Sequence, residues 1–200
     1  MSESGQRKAR YPIDQIFLER WSPRAFAPSD VSDEELFTLF EAARWAPSAF
    51  NHQPWRFVYA RREDPMFGGF VSLLRPFNAG WASQAAVLVF ILSDRMIQLP
   101  GSPEPRQSHS NSFDAGAAWA FMALQATRLG LSTHGMSGVD FDRARVELEV
   151  SAEFRVEAAI AIGRRGDKAN LPPPLQAREH PNGRKELEAF VHRGRLGTSI

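Results

Sequence analysis

Ala46-Pro47-Ser48-Ala49-Phe50-Asn51-His52-Gln53-Pro54-Trp55 is the stretch on which the reading of this chain turns. Before it, Glu35 to Trp45 keeps Leu36, Leu39, Phe40 and Ala43 at helical spacing. After it, Arg56-Phe57-Val58-Tyr59-Ala60 is rich in strand formers. The ten residues therefore connect a helix to a strand. Pro47 stops the helix and Pro54 biases Gln53 toward extended geometry, so Ser48, Asn51, His52 and Gln53 are displayed on a loop with fixed ends. Such a loop offers hydrogen bonds to a ligand. Taken alone, it is equally a polar turn closed by its own Ser and Asn side chains.

Composition bounds what the loop can belong to. The 200 residues are 43% hydrophobic with 15 Phe, enough for one sizeable core, and a single domain over 1–200 is expected. With 24 basic and 23 acidic side chains the formal charge is +1, so no global field recruits nucleic acid or an anionic membrane. The absence of cysteine excludes disulfides, thiolate catalysis and Cys-ligated metal, and fits a reducing compartment. The 5 His give no pair at metal-ligand spacing. Residues 1–10 are polar and basic, read as flexible rather than as a signal peptide, and the apolar run Ala85 to Leu92 is too short to span a bilayer. A cytoplasmic protein is expected.

Along the chain, Pro12 to Arg20 reads as a short helix, and Pro23 leaves Arg20, Ser22 and Arg24 together in an irregular segment where they can converge on one phosphate. On spacing alone, surface pairing with Glu19 is the stronger reading for these arginines. Ser32-Asp-Glu-Glu35 is a capping box. A strand over Arg56 to Arg61 is followed by a covering helix around Phe67 to Phe77, with Asn78 placed to be its C-cap. Ala85 to Leu92 reads as a central strand covered on both faces. Leu99 to Ser112 reads as a loop and Asp114 as the cap of a helix ending at Gly130, whose many Ala residues and apolar circumference place it in a subunit interior or an interface. Ser132 to Gly138 is a Gly- and Ser-rich connection, with a third strand expected after Gly130; His134 is read as a polar surface group. Asp140 caps a short helix, Arg155 to Ile162 is a further strand, Leu171-Pro-Pro-Pro174 is stiff and extended, and Leu187 to Val191 has enough apolar character to pair with a sheet edge.

Pro47-Ser-Ala-Phe-Asn-His-Gln-Pro-Trp55 resembles the P-S-x-x-N-x-Q-P-W signature of the nitroreductase-like flavoproteins, a family of FMN-binding homodimers. Arg20-Trp-Ser-Pro-Arg-Ala-Phe26 is similar to that family's R-x-S-x-R-x-F phosphate-binding segment, and Asp114-Ala-Gly116, Gly130 to Gly138, Gly163 and Arg184-Lys-Glu-Leu187 extend the resemblance over Ile16 to Val191. The resemblance implies an α+β fold with a mixed, mostly antiparallel central sheet of four own strands flanked by helices. A C-terminal strand would be exchanged between subunits, residues 163–200 forming an extended tail that embraces the partner. It also implies an FMN site. Arg20, Trp21, Ser22 and Arg24 would hold the phosphate side, while Pro47, Ser48, Ala49, Asn51 and Gln53 approach the same flavin from the other subunit. Asn78, Met136, Ser137 and Gly138 would lie beside the isoalloxazine, and Arg184 matches the tail arginine, with Arg164 and Arg165 as rivals.

These residues include no nucleophile, carboxylate pair or metal cage, so the chemistry would be carried by flavin N5. No G-x-G-x-x-G follows a strand, so NADH or NADPH would be a transient donor rather than a Rossmann-bound one. The expected activity is an FMN-dependent NAD(P)H oxidoreductase reducing nitroaromatics, quinones or another small-molecule electron acceptor by a ping-pong hydride transfer. The alternatives are a flavin-cleaving or dehalogenating relative on the same fold, or a slow-turnover flavin-storage protein.

Overall fold

The computed structural model describes residues 7–198. In chain order, the single turn α1 (Ile16–Glu19) precedes α2 (Asp33–Arg44), β1 (Trp55–Arg61), α3 (Phe67–Ser72), α4 (Pro76–Ala82) and β2 (Val87–Asp94). A small hairpin, β3 (Met96–Ile97) with β4 (Arg106–Gln107), leads to α5 (Asn111–Arg128). Then follow β5 (Ser132–Met136), α6 (Phe141–Glu147), β6 (Phe154–Gly163) and α7 (Pro173–Gln176). The main sheet has the order β1-β2-β6-β5, and each neighbouring pair is antiparallel. The α+β class and the mostly antiparallel sheet are as expected, every main-sheet pairing among the described residues being antiparallel.

β2 explains the layering. Its side chains alternate across the sheet, so Leu88, Phe90 and Leu92 join Phe70, Leu73 and Trp81 on one face. Val87, Val89 and Ile91 join Leu36, Leu39 and Met122 on the other. Both faces are covered, which is why the strand is continuously apolar instead of alternating with polar residues. The helix ends follow local chemistry. Ser32 Oγ accepts from the Glu35 N–H at 3.1 Å while Glu35 Oε2 accepts from the Ser32 N–H at 2.9 Å, closing the expected capping box. At the far end of α5, Gly130 takes a φ of +69° and the Leu131 N–H bonds the Ala126 carbonyl at 2.8 Å, turning the chain into β5.

Several boundaries differ from the sequence reading. The first helix is only one turn, because the Asp14 carboxylate accepts the Ile16 N–H at 2.9 Å and turns the preceding chain. Leu99 to Ser112 is organised by the β3–β4 hairpin, and α5 starts at Asn111, so Asp114 lies inside the first turn instead of capping it. Ser132 to Met136 is the expected third strand and not a connection. Of the stretch Leu171 to Pro174, read as extended, only Leu171 and Pro172 run extended: Pro173 and Pro174 begin α7, where fixed φ and a missing N–H cost nothing. Leu187–Ala189 is a 3₁₀ turn rather than a strand in the single chain. No helix among the described residues is long and apolar enough to cross a membrane.

The segment after α1 is fastened to the end of the sheet. Phe26 bridges Arg165, the Ala27 N–H bonds the Arg164 carbonyl at 2.9 Å, and the Gly166 N–H bonds the Ala25 carbonyl at 2.8 Å. The approach leaves no room for a side chain, since a Cβ on Gly166 would lie 2.6 Å from the Phe26 backbone.

Candidate functional site

A cleft of about 790 Å³ opens where that fastened segment, β5 and the C-terminal tail meet. Arg20, Trp21, Ser22 and Arg24 line it from one side, His134 from β5, and Arg178 and His180 to Arg184 together with Arg7 from the far parts of the chain. Arg20 leaves α1 with extended backbone, and its Nη1 donates to Ser22 Oγ at 3.3 Å. The Glu179 carboxylate accepts from the backbone N–H groups of Arg24 and Ala25 at 2.7 and 2.9 Å, which fixes the tail over the segment. Arg24 Nη1 stands 3.9 Å from Glu179 Oε2, while Arg24 Nε is buried with no acceptor.

Guanidiniums outnumber carboxylates here, and they feel one another. The pKa of Arg20 is lowered by burial and then by Arg7 and Arg184; that of Arg24 is lowered by burial and then by Arg178, with Glu179 opposing. All remain charged at neutral pH. A crowded set of cations around an open cleft has the chemistry to hold a polyanion that accepts hydrogen bonds, as a phosphate monoester does.

Of the three rivals for the tail arginine, Arg184 lines the cleft. Arg164 is turned away to pair with Glu35 at 2.5 Å, and Arg165 is held in the bridge to Phe26. Arg7 lies in the stretch read as loose, yet its Nε donates to the Asn182 carbonyl at 2.8 Å and its Nη1 to the Leu18 and Arg20 carbonyls at 3.1 and 2.6 Å. Nothing in the local pattern around Arg7 pointed to this.

The loop after α2 is held in an unusual backbone. Phe50, Asn51 and Gln53 all have positive φ, 52°, 53° and 52°, a conformation that costs a non-glycine residue roughly 1–2 kcal/mol. Ser48 Oγ accepts the Gln53 N–H at 3.0 Å, Gln53 Nε2 donates to the Asn51 carbonyl and side-chain oxygens at 3.1 and 3.2 Å, and Asp114 accepts the Ala49 N–H at 3.2 Å. The self-closed polar turn is therefore real. Even so, Phe50 stands 69% exposed at its tip, and Pro47 and Asn51 are exposed beside it. None of Pro47 to Gln53 lines the arginine cleft, so one chain does not bring the two motifs together.

Asn78 lies inside α4 and not at its end, and its Nδ2 donates to the Gly138 carbonyl at 3.2 Å. A Cβ on Gly138 would come 2.3 Å from that nitrogen, so glycine is what lets the contact form. Ser137 is exposed, whereas the Met136 side chain is packed in the core at 4% exposure, leaving only its backbone free for a ligand. His134 is not a surface group. Its Nδ1 lies 2.9 Å from the Pro23 carbonyl and its ring 4.6 Å from that of Trp81. Burial pushes its pKa down to about 4, with the Pro23 carbonyl opposing and Arg24 and Arg20 reinforcing. The signal for it was available: it stands two residues before Met136 on the same face of β5.

The sequence profile of the nitroreductase family matches residues 17–66 and 70–164. A protein of Streptomyces coelicolor provisionally named an NADH dehydrogenase/NAD(P)H nitroreductase is 30% identical, over 82% of this chain and 89% of its own length. A crystal structure described as an oxidoreductase containing FMN is 45% identical and superposes with a TM-score of 0.92 over 100% of both chains. A nitroreductase family protein of Streptococcus pneumoniae TIGR4, at 20% identity, shares the fold with a TM-score of 0.71 over 90% of this chain and 98% of its own.

Proposed function

Since the chain belongs to the nitroreductase family, we propose that it is an FMN-dependent oxidoreductase that takes hydride from NADH or NADPH and delivers it to nitroaromatics, quinones or related electron-poor acceptors. The observation that carries this is the arginine cleft, whose surplus positive charge and Ser22 hydroxyl suit a phosphate monoester. Arg20, Ser22, Arg24 and Arg184 are assigned to the phosphate. Asn78, Ser137 and Gly138 are assigned to the ring side, where Asn78 Nδ2 is already directed at Gly138.

When bound, FMN supplies two-electron hydride acceptance and release. The protein's share is orientation and field. Arginine donors fix the phosphate end, and amide donors near Gly138 meet negative charge that grows on the ring side as electrons arrive. The exposed, strained loop with Ser48, Asn51 and Gln53 serves the site of a second chain, making the enzyme a homodimer whose tail pairs with the partner. Donor and acceptor then use one space in turn, which is ping-pong.

The test is direct. The purified protein should be yellow, release FMN on denaturation, and oxidise NADH or NADPH when a quinone is added, with parallel double-reciprocal lines. Colourless protein that gains no flavin on incubation with FMN would overturn the proposal, and bound FMN without turnover would favour storage.

A further inference from the structure

We propose that His134 is a binding residue for the sugar-alcohol chain of the flavin, its Nε2 accepting a hydroxyl proton; this rests on the FMN reading above. The tautomer follows from the partner. A peptide carbonyl can only accept, so the 2.9 Å contact with Pro23 places the hydrogen on Nδ1. The ring is held neutral by its burial among cations, so Nε2 keeps a bare lone pair. That atom has no hydrogen-bond partner among the described residues, and it is not sealed in the interior. His134 lines the cleft, so the lone pair is available there.

What surrounds it gives the lone pair a purpose. The guanidiniums of Arg7, Arg20, Arg24 and Arg184 are donors without acceptor capacity, which serves a phosphate but not a hydroxyl that must give its proton away. The nearby carboxylate, Glu179, is turned onto the N–H groups of Arg24 and Ala25. Position agrees with chemistry. Along β5, His134 and Met136 share a face about 6–7 Å apart, so the imidazole stands between the ring-side stretch ending at Gly138 and the phosphate segment it touches at Pro23. The polyol joining ring to phosphate has to cross that interval.

Apoprotein titrated with FMN, riboflavin and lumiflavin, followed by flavin fluorescence, separates the possibilities. In H134N the amide nitrogen replaces Nδ1 and keeps the bond to Pro23 but offers no acceptor at the Nε2 position. In H134Q the amide reaches the Nε2 position. H134N should bind both FMN and riboflavin about tenfold more weakly, as expected for one unpaired polar contact, with lumiflavin, which lacks the chain, unaffected. H134Q should recover most of the loss. Wild-type affinity in H134N for all three would overturn the assignment. A loss confined to FMN would also overturn it and make His134 a positioning residue for the phosphate segment, and equal losses including lumiflavin would reduce it to a packing role. If the wild-type apoprotein binds none of the three, the FMN reading itself falls and takes this assignment with it.

Discussion

Arg20 and Arg24 are buried enough to have their pKa values lowered, yet they have little to neutralise them, so they are set to bind an anion more strongly than surface arginines would. Replacing both by Ala removes two charge-assisted contacts of about 1.5–3 kcal/mol each, and FMN affinity measured by equilibrium titration should fall at least tenfold. His134 gives a second prediction, in pH. Its unfolded value near 6.5 drops to about 4 on folding, so between the two the unfolded chain holds a proton that the folded chain does not. Stability therefore rises with pH through this window: the contribution is complete above about 6.5, lost by about 4, and on the order of 3 kcal/mol. Urea midpoints for wild type should decline more steeply than those of H134Q as pH falls; equal slopes would refute the assigned environment. At this scale the sequence was informative where chemistry is contiguous, as in Arg20, Ser22 and Arg24. Arg7, His134 and the pair Arg178-Glu179 come from three distant places, and no local pattern announces their meeting.

Elements place these residues, and two contacts do most of the placing. Gly166 lets the segment from Arg20 to Ala27 lie against the end of β6. Ala there would force the 2.6 Å clash with Phe26, costing about 1–3 kcal/mol by urea denaturation and weakening FMN binding as the segment shifts. Asp114, 3% exposed, holds the Ala49 N–H and the Ser110 hydroxyl at 3.2 and 3.0 Å. Asp114→Ala should cost about 1–3 kcal/mol and loosen the strained loop, visible as faster amide exchange around Ala49 to Gln53. The capping box at Ser32 was legible because both of its partners lie within one turn. Asp114 was misread as a cap because the same residue type suits that role, while its true partner lies 65 positions away. Positive φ at Phe50 and Gln53 was invisible for a related reason, since neither is a glycine.

For the whole molecule, the arginine cleft and the Pro47 to Gln53 loop are separate surfaces of one chain, and β1 is an open sheet edge on which Phe57 and Tyr59 meet Phe37 and Phe40. A homodimer that shares its flavin sites uses both features. An Arg20→Ala, Arg24→Ala chain mixed with a Ser48→Ala, Asn51→Ala chain gives heterodimers with one intact site, and the isolated heterodimer should hold about half of normal FMN occupancy. Recovery no greater than the parent homodimers would mean that each flavin is held within one chain. The α+β class was readable from the order of periodic segments, whereas the course of the tail was not, because a Pro-rich stretch can start a helix as well as extend. That tail has a bearing on flavin uptake. Arg7 donates to the carbonyl of Asn182, 175 positions later, so opposite ends of the chain form one wall of the cleft. The strands β1, β2, β6 and β5 all lie between those two segments and pair with one another without either, so the sheet can form before there is a place for the anion. Flavin uptake is then expected to wait on the meeting of the two segments, and a chain cut ahead of Arg178 should stay colourless when incubated with FMN.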